Sequence, residues 1–177
     1  EIKQNETGKR AANKANSIKL KHVSFKYPNM EKYVLKDVNM EINSGEKVAI
    51  VGHNGAGKTT LIKLIMRLYL PQEGNIYLDG EKEEEYNLDS LRGRFGVIFQ
   101  DFQLYAMTVG ENVLMDEDCE SEEKKTVIDA ALKSSGLYDR IYKEKNNINT
   151  SVLKEYDEEG LILSGGQAQK LAIARIF

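Results

Sequence analysis

The residues of this sequence whose types and spacing favour chemistry are concentrated in residues 48–60, VAIVGHNGAGKTT. This segment contains the pattern G-x-x-x-x-G-K-[ST]. Glycines allow backbone conformations that turn successive N–H groups inward, and they let an anion approach the main chain closely. The pattern therefore predicts a loop that binds the phosphates of a nucleoside triphosphate.

The chemical tasks within this loop follow from the residue types. A helix opening near Lys58 directs the positive end of its dipole at the phosphates, and the lysine reaches the β and γ phosphates. The Thr59 hydroxyl is suited to ligate Mg²⁺. An ordinary glycine turn before a helix is the alternative, but it does not account for strand, loop and helix in this order. The predicted binding residues are Gly52, Asn54, Gly55, Ala56, Gly57, Lys58, Thr59 and Thr60.

The strands that position this loop are predicted from hydrophobic periodicity. Alternating apolar residues predict a strand over residues 18–27, and a change of phase within it indicates a bulge. Residues 38–42 form the next predicted strand. The apolar residues 48–51 are predicted as a buried strand that enters the loop, and residues 95–101, FGVIFQD, as a second apolar strand.

Helix and loop signals account for the rest of the chain. The helix from Lys58 is apolar apart from a narrow predicted polar stripe that carries Lys63 and Arg67, so we expect it to be largely buried. Residues 74–80 read as a short strand, and the acidic residues 81–90 as an exposed connection.

A further helix is predicted between Ser121 as its N-cap and Gly136 as its stop, after an acidic, solvated run over residues 116–123. A second short helix is predicted at residues 137–145.

Composition sets outer bounds on the class of protein. The chain has 177 residues, 41% hydrophobic and 30% charged, which predicts one soluble domain with a real core. No apolar stretch approaches the roughly 20 residues of a membrane span, and no secretory signal is evident. The single cysteine, Cys119, suits the cytosol, and the two isolated histidines imply no metal cluster.

The N-terminal residues have a different charge balance from the remainder. The net charge is −3, yet residues 1–21 hold six basic groups against two acidic ones. Residues 1–16, polar and without periodicity, are predicted to be a linker or tail. Charge alone leaves two interpretations open: a solvated tether, or a connector passing near an anionic membrane surface.

Near the end of the sequence, residues 163–167 read LSGGQ and precede an apolar helix pattern. With the phosphate loop upstream, this order resembles the nucleotide-binding domain of ATP-binding cassette (ABC) transporters over residues 17–177. The resemblance implies an α/β fold: a phosphate-loop NTPase core, an antiparallel β subdomain, and a helical subdomain at about residues 101–170 that carries LSGGQ. Residues 108–113, TVGENV, and the Glu159-Gly160 pair resemble exporters more than importers.

The resemblance also implies roles for residues outside the phosphate loop. Tyr27 stands where the family places an aromatic that stacks on adenine, although a packed strand tyrosine is equally consistent with the sequence. Gln100 matches the glutamine that reaches the magnesium ion and the attacking water. The predicted catalytic residues are thus Lys58, Gln100 and Ser164, with Mg²⁺ held by Thr59 and Gln100. Residues expected to bind a partner's ATP are Ser164, Gly165, Gly166 and Gln167.

The implied partners are a second nucleotide-binding domain in a head-to-tail dimer and the transmembrane domains of a transporter at the cytoplasmic face of the cell membrane. No nucleic-acid partner is expected. The family's magnesium aspartate, catalytic glutamate and histidine switch follow the LSGGQ helix, and none is identified here. Asp79 and Asp101 each end an apolar stretch but match other parts of the family pattern. We therefore expect an incomplete core, with negligible hydrolysis by this piece of an ATPase.

Two alternative functions remain open on the sequence. One is a soluble ABC-type ATPase of translation or chromosome maintenance, although chromosome ATPases place a long coiled coil between the two motifs and none fits here. The other is a nucleotide-binding module without catalysis. The nature of any transported substrate is not encoded in these residues.

Overall fold

Residues 8–11 and 17–177 are described by the computed structural model of this chain. The chain divides into two compact units, Glu1–Phe95 and Gly96–Phe177. The first unit contains an antiparallel sheet and the helix that follows the glycine loop. The second unit is helical. Together these elements confirm the predicted combination of strands and helices.

In the described part of the first unit, the sheet has four strands: β1 (Ile18–Phe25), β2 (Leu35–Ile42), β3 (Glu73–Leu78) and β4 (Glu81–Lys82). They lie in the order β2-β1-β3-β4, and all neighbours are antiparallel. The β1–β2 register shifts between Leu20 and Val23 and again between Val23 and Phe25. The predicted bulge is therefore confirmed, and His22, with φ of 52°, lies within it.

One face of this sheet packs against the first helix, α1 (Lys58–Ile65). Apolar side chains from both sides form a buried cluster, and each fully buried one contributes about 1.5–3 kcal/mol to folding. This burial fixes the helix that begins at the glycine loop. The buried members are Leu20, Val23, Phe25, Leu35, Leu61, Leu64, Ile65 and Ile76.

Two predicted strands are not present in the structure. Residues 48–51 and 95–101 take part in no strand ladder among the described residues. Val48 is 47% exposed and Val51 is 88% exposed, so the first of these segments is not buried either. An apolar run becomes a strand only when a neighbouring strand satisfies its backbone N–H and C=O groups. The prediction from the apolar pattern alone was wrong at both segments.

The prediction that Arg67 lies on a polar stripe is also wrong. Arg67 follows α1 with φ of 52°, and the residue is only 4% exposed. Its Nη1 donates hydrogen bonds to the carbonyl oxygens of Glu83 and Tyr86, each at 3.1 Å. The helix ends before Arg67, and the left-handed turn directs this side chain inward, where backbone carbonyls accept its N–H groups.

Residues 81–90 are a folded segment, in contrast to the exposed connection predicted. They include β4, a 3₁₀ turn (Glu83–Glu85) and the start of α2 (Leu88–Arg92). Glu83, Tyr86 and Leu88 are buried. The prediction was based on the acidic composition of the segment. Its apolar residues and the hydrogen bonds from Arg67 nevertheless hold it against the rest of the first unit.

The second unit contains four helices: α3 (Val109–Leu114), α4 (Glu122–Ser135), α5 (Tyr138–Ile141) and α6 (Gly165–Ala174). Ser121 caps α4 through the N–H of Lys124, and Gly136 ends it with φ of 69°, as predicted. α5 is shorter than the predicted helix, and a 3₁₀ turn (Asn147–Asn149) follows it. Side chains of α3, α4, α5 and α6 share one buried apolar cluster.

Of the predicted N-terminal tail, only residues 8–11 lie within the described residues. Lys9 forms a parallel bridge with Tyr86, and its ammonium group lies 3.2 Å from Glu81 and 3.4 Å from Glu85. The N–H of Ala11 donates to the hydroxyl of Ser90 at 2.8 Å. Lys9 and Ala11 are thus bonded to other residues of the first unit. In the described part of the chain, no helix has the length and apolarity to cross a bilayer.

Candidate functional site

The glycine loop connects to α1 through two residues in the left-handed backbone region. Gly55 has φ of 83° and Gly57, the N-cap of α1, has φ of 86°. A Cβ atom at Gly57 would lie 2.8 Å from Cδ2 of Leu35, whereas one at Gly55 would meet no atom within 4 Å. Packing therefore disfavours a larger residue at 57, because the buried Leu35 side chain would have to shift. At 55 the backbone conformation favours glycine, and the space beside it is open.

The lysine of the motif closes this loop. Nζ of Lys58 donates hydrogen bonds to the carbonyl oxygens of Gly52 at 2.7 Å and His53 at 2.8 Å. The N–H of Ala56 donates to the same His53 carbonyl at 3.2 Å. The ammonium group is thus held at the inner side of the turn. Asn54 and Thr59 are exposed beside it.

The start of α1 suits a negatively charged ligand. No side chain caps this helix, and its first turn contains no acidic residue. A helix N-terminus carries partial positive charge from N–H groups without intrahelical partners. With the Lys58 ammonium beside it, the exposed loop 52–56 has the chemistry of a phosphate site.

Tyr27, the predicted adenine-stacking residue, is half-buried and packed against two aromatic rings. Its ring lies edge-on to Phe25 at a centroid distance of 5.0 Å and to Tyr69 at 5.2 Å. Its hydroxyl lies 3.1 Å from that of Thr60, which is buried on α1. The Tyr27 hydroxyl therefore contacts α1, the helix that follows the phosphate loop.

The LSGGQ segment forms the beginning of α6, and Ser164 is its N-cap. The Ser164 N–H donates to Oε1 of Gln167 at 3.0 Å, and the Gln167 N–H donates back to Oγ of Ser164 at 3.4 Å. Added Cβ atoms at Gly165 and Gly166 would meet nothing within 4 Å. Packing within the chain therefore does not explain these two glycines.

The other predicted site residues differ in their surroundings. Gln100 is exposed in a turn of the second unit. Asp79 accepts a hydrogen bond from the Ser17 N–H at 2.8 Å and forms an ion pair with Arg94 at 2.7 Å. These contacts give Asp79 a structural role in the turn after β3. Asp101 is exposed.

The structure places the predicted residues in two groups. Tyr27 and the phosphate-loop residues belong to the first unit, whereas Gln100 and residues 164–167 belong to the second. Sequence reasoning missed Asn112, which is fully buried and bonded to Arg175. The T-x-x-E capping pattern at Thr108 and Glu111 marks the start of α3 in the sequence. No comparable signal marks the buried asparagine.

Comparison with known proteins gives consistent matches. The family model described as ABC transporter matches residues 35–177. A Staphylococcus aureus (strain NCTC 8325) protein, provisionally named a multidrug export ATP-binding/permease protein, is 42% identical over 164 residues, which is 93% of this chain. A Bacillus subtilis (strain 168) protein, named an uncharacterized ABC transporter ATP-binding protein, is 41% identical over 161 residues, which is 91% of this chain.

Among solved structures, one of a bacterial Atm1-family ABC exporter with ATP bound has a TM-score of 0.80 at 32% identity. The match covers 99% of this chain and 30% of the exporter chain. The chain likewise spans 27% of the length of each of the two curated relatives.

Proposed function

This chain belongs to the ABC transporter family, and on that premise we propose that its glycine loop binds the triphosphate of ATP in an exporter-type ATP-binding domain. The observation that carries the proposal is the start of α1. There an uncapped helix N-terminus, an exposed glycine loop and the Lys58 ammonium are brought together. Those three features supply the donors that a polyphosphate needs.

Each residue of the loop has a specific task in this proposal. The Lys58 ammonium exchanges its bonds to the Gly52 and His53 carbonyls for the β and γ phosphate oxygens. Open space beside Gly55 lets the phosphates approach the backbone. Asn54, Ala56 and the residues that follow contribute main-chain donors.

Magnesium fits exposed oxygen donors among the predicted site residues. The Thr59 hydroxyl and the Gln100 amide oxygen are hard ligands, and both residues are exposed. The ion, when bound with ATP, would neutralise phosphate charge and polarise the γ phosphate. We infer that Thr59 is its main protein ligand. The ring of Tyr27 is the candidate platform for adenine.

A second copy of the domain completes the site in this proposal. The LSGGQ start of α6 presents Ser164 and the open faces of Gly165 and Gly166. Facing a partner's phosphate loop, these groups would offer a hydroxyl, backbone N–H donors and a positive helix end to the γ phosphate. Loss of the γ phosphate would remove those contacts and favour separation.

In the whole protein, we propose that this cycle of ATP binding and hydrolysis drives export through transmembrane domains. The support is the printed name of the S. aureus relative, which joins an ATP-binding part to a permease. The exporter structure that matches the chain points to the same function. The domain would then act at the cytoplasmic face of a membrane. These relatives favour a transporter over a soluble ATPase of translation or chromosome maintenance.

Nucleotide binding tests the first part of the proposal. Titration of the 177-residue chain with a fluorescent ATP analogue should show affinity that falls at least tenfold in Lys58→Ala. Lys63→Ala, a substitution of the same type on the same helix, should bind as the unchanged chain does. Equal affinities for the unchanged chain and Lys58→Ala would refute the phosphate site.

Mixing variants tests the composite site. A Lys58→Ala chain retains its LSGGQ segment, and a Ser164→Ala chain retains its phosphate loop. Their mixture should therefore form one intact composite site and show ATP-dependent association that neither variant shows alone. A mixture no better than the separate variants would exclude completion by a second copy.

A further inference from the structure

Asn112 on α3 is the centre of a buried hydrogen-bond network in the second unit. Its side chain is fully buried, and Nδ2 donates to the carbonyls of Tyr105 at 2.9 Å and Thr108 at 3.0 Å. A longer contact of 3.4 Å joins Nδ2 to the Met107 carbonyl. Oδ1 accepts from the Tyr105 N–H at 3.1 Å. One side chain therefore fixes the path of residues 105–108.

Arg175, at the C-terminal end of α6, completes this network. Its Nε donates to the Asn112 carbonyl at 2.8 Å and its Nη2 to Oδ1 of Asn112 at 2.7 Å. Nη1 donates to the carbonyl of Gln103 at 2.7 Å. The guanidinium also lies over the Tyr105 ring, 5.1 Å from its centroid. The planar fork of arginine makes these three bonds from three separate nitrogens, whereas a lysine ammonium has all its donors on one nitrogen and does not match this geometry.

Residues 107–109 are also hydrogen-bonded to a segment that leads to the N-terminal end of α6. The Val152 N–H donates to the Met107 carbonyl at 2.8 Å, and the Val109 N–H to that of Thr150 at 3.0 Å. From there the Leu161 N–H donates to the Ser151 carbonyl at 2.8 Å. Leu161 precedes Ser164 by three residues. The segment after Gln100 is thus bonded directly to the C-terminal end of the LSGGQ helix, and through residues 150–152 to Leu161, which precedes its N-terminal end.

We propose that Asn112 and Arg175 are positioning residues that fix the orientation of the LSGGQ turn relative to residues 103–108. This inference rests on the function proposed above, because it assigns these residues to the segment that caps a partner's ATP. In this proposal neither residue binds nucleotide itself. The hydrogen bonds between Arg175, Asn112 and Gln103 are called the lock below. With the lock intact, a displacement of residues 103–108 carries the LSGGQ turn with it.

Conservative variants separate this role from a general loss of structure. Arg175→Lys keeps the charge and the aliphatic stem but loses the fork. Arg140→Lys is the matched control, since Arg140 lies on α5 of the same unit and forms an ion pair with Glu144. If Arg175→Lys does not fold, Tyr105→Leu removes only the ring beneath the guanidinium, at a position that is 43% exposed.

Amide hydrogen exchange on the 177-residue chain tests the lock directly. In Arg175→Lys, residues 103–108 and 163–168 should both exchange at least tenfold faster, while α4 keeps its protection. Arg140→Lys should leave both segments unchanged. Faster exchange confined to residues 172–177, or none at all, would overturn the proposal.

A second measurement separates positioning from nucleotide binding. Arg175→Lys should bind the fluorescent ATP analogue within twofold of the unchanged chain, yet require at least tenfold higher protein concentration for ATP-driven association. Association equal to that of the unchanged chain would refute the positioning role. If the unchanged chain does not associate with ATP, the composite site fails, whereas the exchange experiment still decides whether the lock holds the turn.

Asn112→Asp provides an independent check through coupling between the two residues. It keeps an acceptor for Arg175 but removes the donor to the carbonyls of residues 105–108. If the two side chains act as one lock, the double variant should accelerate exchange at residues 163–168 by less than the product of the single effects. If the effect of the double variant on exchange equals the product of the single effects, the two side chains act independently and the proposal is contradicted.

Discussion

The hydroxyl of Tyr27 and the hydroxyl of Thr60 lie 3.1 Å apart, so a residue just after β1 and the phosphate-loop helix are joined by one polar contact. Thr60 is only 6% exposed, so this contact gives its buried hydroxyl a hydrogen-bond partner. The Tyr27 ring is at the same time half-buried among Phe25 and Tyr69. The contact therefore connects a candidate adenine platform to the helix that carries Lys58 and Thr59.

Substitution of Tyr27 separates stacking from packing. Tyr27→Phe loses the Thr60 bond, at a cost of about 0.5–1.5 kcal/mol in the free energy of unfolding, but keeps the ring and should keep ATP affinity. Tyr27→Ala should weaken ATP binding severalfold while leaving tripolyphosphate binding unchanged. Isothermal titration with both ligands measures this difference.

Tyr69→Ala is the control for that experiment, because Tyr69 lies edge-on to the Tyr27 ring in the same aromatic group. It should lower stability without a selective loss of ATP affinity. An equal selective loss in Tyr69→Ala would show that aromatic packing, and not adenine stacking, explains the effect.

Alanine at Gly55 and Gly57 should have different effects on stability. Both positions have φ above 80°, so both substitutions carry a left-handed backbone penalty of about 1–2 kcal/mol. Only Gly57→Ala adds a contact of 2.8 Å with Leu35. We expect it to lower the free energy of unfolding by at least about 1 kcal/mol more than Gly55→Ala does. Urea denaturation of the two variants checks this, and equal midpoints would contradict it.

Alanine at Gly166 should separate folding from association. A Cβ atom there meets nothing within 4 Å, and alanine is about 1 kcal/mol more favourable than glycine inside a helix. Gly166→Ala should therefore keep or raise the melting temperature. Because the methyl group occupies the face proposed to meet a partner's γ phosphate, ATP-dependent association should fall at least tenfold. Light scattering with and without ATP measures it, and unchanged association would exclude that face.

Glu83 should make the stability of the first unit depend on pH. Burial, the largest cause, raises the pKa of Glu83 to about 8, from 4.5 for a free side chain, although the charge of Arg67 opposes the shift. Between these values the unfolded chain has released the proton while the folded chain retains it. The folded state therefore loses stability as the pH rises from 4.5 to 8, by at most about 1.4 kcal/mol per pH unit.

Glu83→Gln removes this dependence, because its amide does not ionise. Relative to the unchanged chain, the variant should gain stability steadily between pH 5 and pH 8, as followed by urea denaturation at several pH values. Glu31→Gln, at an exposed position, is the control and should show no such trend. A constant difference between Glu83→Gln and the unchanged chain across this range would contradict a buried, protonated carboxyl.

The sequence by itself determined the features that depend on neighbouring residues. The G-x-x-x-x-G-K-T spacing located the start of α1 at Lys58, and Ser121 was identified as a helix N-cap. Gly136 was identifiable as a helix end. These signals are local because a cap or a left-handed glycine is satisfied by atoms within a few residues.

The tertiary structure alone decided the features that depend on distant residues. Arg67 turns inward because carbonyls of Glu83 and Tyr86 accept its N–H groups, and Arg175 meets Asn112 across 63 residues of sequence. Residues 48–51 read as a buried strand, yet they have no place in the sheet described. Periodicity shows which faces are apolar, but which groups satisfy a buried guanidinium or a strand's backbone depends on which segments folding brings together.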